Sequence, residues 1–303
     1  MSLRLILASS LLVFTLSQTV MAQQKHISSP FFVFNNGISD TAVYKTHQKQ
    51  AQLAAQMGFN GVEKNRLDNF DTFYEVLLTN NLKLYTIYVE VNLDEEKAPY
   101  DRRLEDVFKK IQGTQAMPWL YVTSKKHKPS SAEQDAIAVP ILQEIADLAK
   151  KYGLKVALYP HTWFWLETVE DAIRVAEKVN RPNFGMAFNL PHFLATQYYG
   201  GENPDKNLQI WAQKARPYVF ALSINGADYP PASSDRGKVW ESLIKPLGEG
   251  NYDTYAFLKT FWDMGFTGPV GLQCYNIKQE KSIHLEKSVH TWQAYKKRYA
   301  AGK

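Results

Sequence analysis

Short runs rich in Tyr, Val, Ile and Phe alternate along this chain with longer segments whose apolar residues recur at helical spacing. Eight runs read as buried strands: FFVF (31–34), GFNGVE (58–63), LKLYTIYVE (82–90), MPWLYVT (117–123), LKVALYPH (154–161), NFGMAFN (183–189), YVFALSIN (218–225) and GPVGLQC (268–274). Helical patterns fill 41–57, 69–80, 101–112, 131–152, 166–179, 205–215, 253–264 and 282–299. MGFNG, KYGLK and MGFTG each place a glycine where a helix hands over to a strand. Eight strand–helix repeats in about 280 residues predict a (β/α)₈ TIM barrel. The competing layout, a doubly wound open sheet, calls for a GxGxxG after the first strand, and none is present.

The N-terminus changes the picture of where the protein works. One Arg precedes an apolar run from Leu5 to Leu16, and small residues at Val20–Ala22 offer a cleavage point, the pattern of a secretory signal peptide over 1–22. The apolar run is shorter than the roughly 20 residues a spanning helix needs. The expectation is therefore a periplasmic or secreted chain, with one barrel domain over 23–303 and no membrane segment after cleavage. Cys274 is the only cysteine, so no internal disulfide forms and stability rests on packing. The net charge of +5 is spread rather than clustered. SKKHKPS (124–130) and the C-terminal YKKRYAAGK read as solvated faces, and no nucleic-acid partner is expected. The sequence leaves the oligomeric state open.

Period-two parity then sorts each strand into an axis-facing and a helix-facing side. In GMAFN the small Gly185 and Ala187 share a face with Asn189, which points inward at the C-terminal mouth. The same test turns Ala221, Ser223 and Asn225 inward and Phe220, Leu222 and Ile224 outward. It places Gly271 and Gln273 inside with Cys274 outside, and Glu63 on the face of Gly61. Thr86, Tyr88 and Glu90 form the polar face of the third strand, and Ala157, Tyr159 and His161 that of the fifth. The predicted mouth is thus Glu63, Glu90, Tyr159, His161, Asn189, Ser223, Asn225 and Gln273, with His192 just past strand six. Active sites of this fold sit at that rim.

These stretches also carry a resemblance. GFNGVE, VALYPH, FNLPHFL, SINGAD and, most specifically, PLGEGNYDTYAFLKTFWDMGFTGPVGLQ resemble the xylose isomerase-like TIM barrels, the sugar phosphate isomerases and epimerases with endonuclease IV as a distant relative. The likeness spans the whole chain after the leader. It implies one divalent cation, held by acids and a histidine at the ends of strands five to eight. By motif those positions are Tyr159, Asn189, Ser223 and Gln273, all neutral here, while the histidine three residues past the strand-six position is kept as His192. A hard cation in an oxygen site is held largely by carboxylate charge, so no cofactor is expected. An alternative cation among Glu63, Glu90, His161 and His192 stays open, with ligand types that suit zinc or manganese.

Two functions follow from these residues. One is an enzyme on sugars or keto-sugars that removes a proton next to a carbonyl, in isomerisation, epimerisation or elimination. Glu63 or His161 would be the base, and His192 the acid or oxyanion partner. Asn189, Asn225 and Gln273 would bind hydroxyls with Glu90, Tyr159 and Ser223, and Trp163 of HTWFW would stack on a sugar ring. The other is a carbohydrate-binding protein that kept the barrel and lost the chemistry. Repair of nucleic acid would need a dense His/Asp/Glu cluster that the chain lacks.

Overall fold

In the computed structural model residues 27–303 are described, and the expected leader over 1–22 lies outside them. Eight parallel strands close into a barrel in chain order: β1 (Phe31–Val33), β2 (Gly61–Asn65), β3 (Lys83–Asn92), β4 (Met117–Thr123), β5 (Val156–Leu158), β6 (Phe184–Asn189), β7 (Val219–Ile224) and β8 (Val270–Leu272). Outside the barrel run α1 (Asn35–Ile38), α2 (His47–Gln56), α3 (Phe70–Thr79), α4 (Leu104–Ile111), α5 (Asp135–Lys151), α6 (Val169–Val179), α7 (Leu190–Tyr199), α8 (Pro204–Ala215), α9 (Val239–Leu243), α10 (Thr254–Asp263) and α11 (Lys281–Ala300). The three predicted hand-over glycines, Gly58, Gly153 and Gly265, all have positive φ, a conformation an L side chain resists. The start of α6 is set by a capping box, in which Thr168 Oγ1 accepts from the Asp171 N–H and the Asp171 carboxylate accepts from the Thr168 N–H.

The barrel interior is filled unevenly around its circumference. Phe32, Phe34, Tyr85, Met117, Trp119 and Tyr159 form an apolar cluster separate from the core beneath the helices. Opposite them β5–β8 contribute mainly the small residues Ala157, Gly185, Ala187, Ala221 and Gly271 to the interior below the rim. A Cβ at Gly271 would lie 2.5 Å from Phe32 Cζ and from Phe34 Cε1, so the phenyls of β1 occupy the space that glycine leaves. Large side chains on one half of the wall thus require small ones on the other.

Parity fails at two places, and both are bulges. Between Val62 and Glu63 the register of β2 on β3 skips Tyr85, and between Met186 and Ala187 that of β6 on β7 skips Phe220. Each extra residue turns its ring inward beside a glycine. A Cβ on Gly61 would meet Tyr85 Cε2 at 2.9 Å, and one on Gly185 would meet Phe220 Cε2 at 2.8 Å. Phe220, expected outward, therefore packs partly against the interior cluster. The bulges displace only these two aromatics, and the residues above them keep their predicted faces.

Three short or buried helices have no counterpart in the sequence pattern, among them α1 (Asn35–Ile38) just after β1. The segment Leu190–Tyr199, given no element by the sequence pattern, is α7, entered directly from β6 with Pro191 in its first turn. The segment holding Val239–Leu243 is α9, which folds over the rim. At the other side of the mouth β3 and β4 stay paired as far as Asn92 and Thr123, so they stand above the rim as a two-stranded lip.

Candidate active site

A cavity of about 420 Å³ opens at the C-terminal face of the barrel, and among the described residues Glu63 is the only carboxylate on its lining. Glu63 lies in the middle of β2, two residues before Asn65 on the same cavity, and is 5% exposed. Its Oε2 accepts the Asn35 N–H at 2.9 Å. Burial pushes its pKa up to about 7, against the opposing pull of that hydrogen bond and of Lys64. Lys64 points the other way, with its ammonium over the Phe73 ring. Glu63 therefore exchanges a proton near neutrality, the property a general base needs.

His161 and His192 line the same cavity with ring centroids 4.0 Å apart. The backbone of one residue, Thr162, dictates the tautomer of each. His161 Nδ1 lies 3.0 Å from the Thr162 carbonyl, which only accepts, so His161 carries its proton on Nδ1 and offers a lone pair on Nε2. The Thr162 N–H donates to His192 Nδ1 at 3.2 Å, so His192 carries its proton on Nε2. Burial pulls the pKa of His161 down to about 4, and burial together with His161 pulls that of His192 well down. Both rings are neutral at pH 7, with opposite hydrogen-bonding character on Nε2, and neither Nε2 has a protein partner among the described residues. Phe164 stacks on His161 at 3.9 Å, and the edge of Trp240 meets His192 at 5.0 Å, which fixes both planes. ¹⁵N-edited NMR checks the assignment: the two histidines are expected as opposite neutral tautomers with flat shifts from pH 8 down to about pH 5. Equal tautomers, or a titration near the unperturbed value of about 6.5, would contradict it.

Around the barrel axis stand Tyr159, Asn189, Ser223 and Gln273. Tyr159 follows β5 directly, is 1% exposed, stacks on Trp119 at 5.0 Å and takes the Tyr88 edge at 5.1 Å. Burial and the charge of Glu63 raise its pKa, so the phenol keeps its proton. Gln273 is oriented by three donors on Oε1: Asn36 Nδ2 at 2.5 Å and the N–H groups of Cys274 and Tyr275, each at 2.9 Å. That leaves Gln273 Nε2 facing the phenol oxygen at 3.5 Å. Asn189 and Ser223 face the same phenol, but Asn189 Oδ1 and Nδ2 and Ser223 Oγ are buried without a hydrogen bond.

This donor set does not fit a divalent cation. It holds no anionic oxygen, it turns an N–H₂ donor from Gln273 toward the centre, and a neutral phenol fills the space between the groups. The alternative set is not assembled either. Glu90 lies outside the cavity of Glu63 and the two histidines, and among the described residues no group of three or more His, Cys, Asp or Glu side chains converges on one point.

The site residues expected from sequence thus divide. Glu63, Tyr159, His161, His192 and Gln273 share one cavity. Asn189 and Ser223 sit beside it, 2% and 0% exposed, shut off by the Tyr159 ring. Asn225 is held for architecture: its Nδ2 donates to the carbonyls of Gly226 and Leu243, at 2.7 and 2.6 Å, and so pins α9 over the rim. Trp163 stays behind the cavity wall, edge-on to Trp240 at 5.6 Å with the Arg236 guanidinium over its ring. Glu90 lies in a neighbouring cavity and accepts from Thr123 Oγ1. Sequence reasoning missed Asn36, Thr162 and Trp240. Asn36 and Trp240 lie in short connecting elements with no periodic signal, and Thr162 acts through its backbone.

A family model described as xylose isomerase-like TIM barrel matches residues 51–291. Inosose isomerase of Bacillus subtilis (strain 168) is 27% identical over 158 residues, which cover 51% of this chain and 51% of that protein. The chain therefore spans about half the length of that curated relative. A crystal structure of IolI protein with a bound zinc atom superposes with a TM-score of 0.66 at 18% identity, covering 89% of this chain and 99% of that one. D-allulose 3-epimerase from Methylomonas sp., in complex with D-allulose, superposes with a TM-score of 0.66 at 15% identity, covering 89% and 98%. At these identities the structural likenesses speak for the fold alone.

Proposed function

The chain belongs to the xylose isomerase-like TIM barrel family, and on that premise we propose that it is a sugar isomerase or epimerase that moves a proton next to the carbonyl of a keto-sugar without a metal ion. One observation carries the reading: a carboxylate poised near neutrality shares a cavity with two neutral imidazoles of opposite character. The relative named for isomerising inosose supports the substrate class. In the proposed reaction ionised Glu63 takes the proton from the carbon beside the ketone. The electron pair moves onto the carbonyl oxygen, which receives a hydrogen bond from His192 Nε2–H, a role a neutral imidazole fills well. His161 Nε2 accepts from the hydroxyl on the neighbouring carbon and keeps it in line. In isomerisation protonated Glu63 returns the proton to the former carbonyl carbon while the neighbouring hydroxyl gives its proton to the former carbonyl oxygen. In epimerisation the proton returns to the carbon it left but on the opposite face, which requires the enediolate to turn over in the cavity first. Gln273 Nε2 and Asn36 orient further hydroxyls, while Phe34, Trp240 and Ile244 exclude water.

The decisive experiment follows the substrate proton itself. In D₂O the wild-type protein is expected to wash deuterium into keto-hexoses at the carbon next to the carbonyl, detected by NMR, even where the net reaction is at equilibrium. Saturable binding of those sugars with no exchange would instead favour a carbohydrate-binding protein without chemistry.

A further inference from the structure

A second cavity of about 360 Å³ opens on the same face of the barrel, against the lip formed by β3 and β4. Tyr88 lines both this cavity and that of Glu63, and Tyr121, stacked on Tyr88 at 4.1 Å, lines the second one. Several polar groups around it keep spare hydrogen-bonding capacity, although Arg103 pairs with Asp68 and Asp101. Arg66 makes no side-chain hydrogen bond or ion pair among the described residues, although it follows Asn65, which lines the first cavity. Its backbone is held at φ +61, with its N–H on the Tyr88 carbonyl at 3.1 Å. A non-glycine residue kept in the left-handed region next to a site marks a side chain whose direction is imposed. Glu90 accepts one hydrogen bond, from Thr123 Oγ1, and Asn92 uses its Oδ1 on the Asp94 N–H, leaving its amide nitrogen free.

From this juxtaposition we propose that the second cavity is a subsite for another sugar ring, so that the preferred substrate is a two-ring keto-glycoside rather than a free monosaccharide. The inference rests on the function proposed above and extends it. A pocket with an aromatic wall and a few convergent planar polar groups is the usual form of a small-molecule site. A guanidinium, a carboxylate and an amide each engage neighbouring hydroxyls in pairs. Arg66 alone would suit a phosphate, but the carboxylates of Glu90 and Glu95 line the same cavity and disfavour an anion, while Asp68 and Asp101 are paired with Arg103. The reacting ring would sit against Glu63 and the imidazoles, and its glycosidic partner would pass Tyr88 into the lip.

The test compares keto-cellobiose, keto-lactose and keto-maltose, each with one ring carbon oxidised to a ketone, against free keto-glucose and its phosphate ester. The two-ring compounds are expected to show kcat/KM at least tenfold higher. Arg66→Gln is expected to remove that advantage while changing turnover of keto-glucose less than twofold. Equal kcat/KM for one and two rings overturns the proposal, as does preference for the phosphate ester. If nothing turns over, calorimetry still decides. Tighter binding of two rings that Arg66→Gln abolishes keeps the subsite and sinks only the enzymatic reading, whereas equal binding of one and two rings sinks the subsite.

Discussion

Replacing Glu63 by Gln is expected to lower kcat by 10²–10⁴-fold, the usual contribution of a general base, and to make the protein more stable at the same time. The stability gain follows from the direction of the pKa shift. The folded state holds the Glu63 proton up to about pH 7, whereas the unfolded chain releases it near 4.5. Between those values the unfolded state binds fewer protons, so stability falls as pH rises through that window. Below pH 4.5 there is no penalty, and above pH 7 it reaches about 3 kcal/mol as an upper bound, at about 1.4 kcal/mol for each tenfold change in proton affinity. The amide introduced by Glu63→Gln still accepts the Asn35 N–H through its oxygen and carries no charge. Thermal unfolding at pH 8 should therefore give a higher Tm for the variant, with the difference vanishing near pH 4.5. A variant that is both inactive and less stable at pH 8 would mean that Glu63 serves the fold rather than the chemistry.

The second large effect lies in the barrel floor. Gly61→Ala is expected to prevent folding or to cost more than about 3 kcal/mol, beyond the usual range for overpacking. Its Cβ would lie 2.0 Å from the Lys83 carbonyl oxygen, a backbone atom held in the β2–β3 ladder, and 2.9 Å from the Tyr85 ring. A flexible side chain could move aside, but a strand carbonyl beside a bulge cannot. Gly153→Ala is the control, because nothing lies within 4 Å of a Cβ there and only the positive φ opposes it, at about 1 kcal/mol. Far-ultraviolet circular dichroism and denaturant unfolding distinguish the two. Equal, small losses would show that the bulge is not the constraint it is taken to be.

The alternation of apolar runs with helical spacing made the barrel legible, because both periods are local properties of the chain. Parity also put Glu63, His161 and Gln273 on the cavity, Glu63 within β2 and the other two just beyond strand ends where the period of two still holds. It could not foresee Tyr85 and Phe220 facing inward, since a bulge adds a residue without leaving a mark in hydrophobicity. Nor could it foresee that Asn189 and Ser223 would be buried. Their inward direction was right, but the bulky Tyr159 lies between them and the cavity, and depth along the axis is not encoded in parity. Asn225 shows the same limit: an inward polar residue at a strand end serves a neighbouring helix as readily as a substrate. Thr162 left no signal at all, because its N–H and C=O, common to nearly every residue, set the two imidazoles.

The central claim is that Glu63 and the neutral imidazoles carry the proton chemistry without a cation, and metal removal tests it most directly. Purified protein is dialysed against a strong chelator, its metal content is measured by mass spectrometry, and kcat/KM for a turned-over keto-sugar is recorded across pH. The account predicts an unchanged rate with far less than one metal per chain, and an activity that rises with pH through about 7 as Glu63 ionises. Loss of activity on dialysis, restored by zinc or manganese, would contradict it.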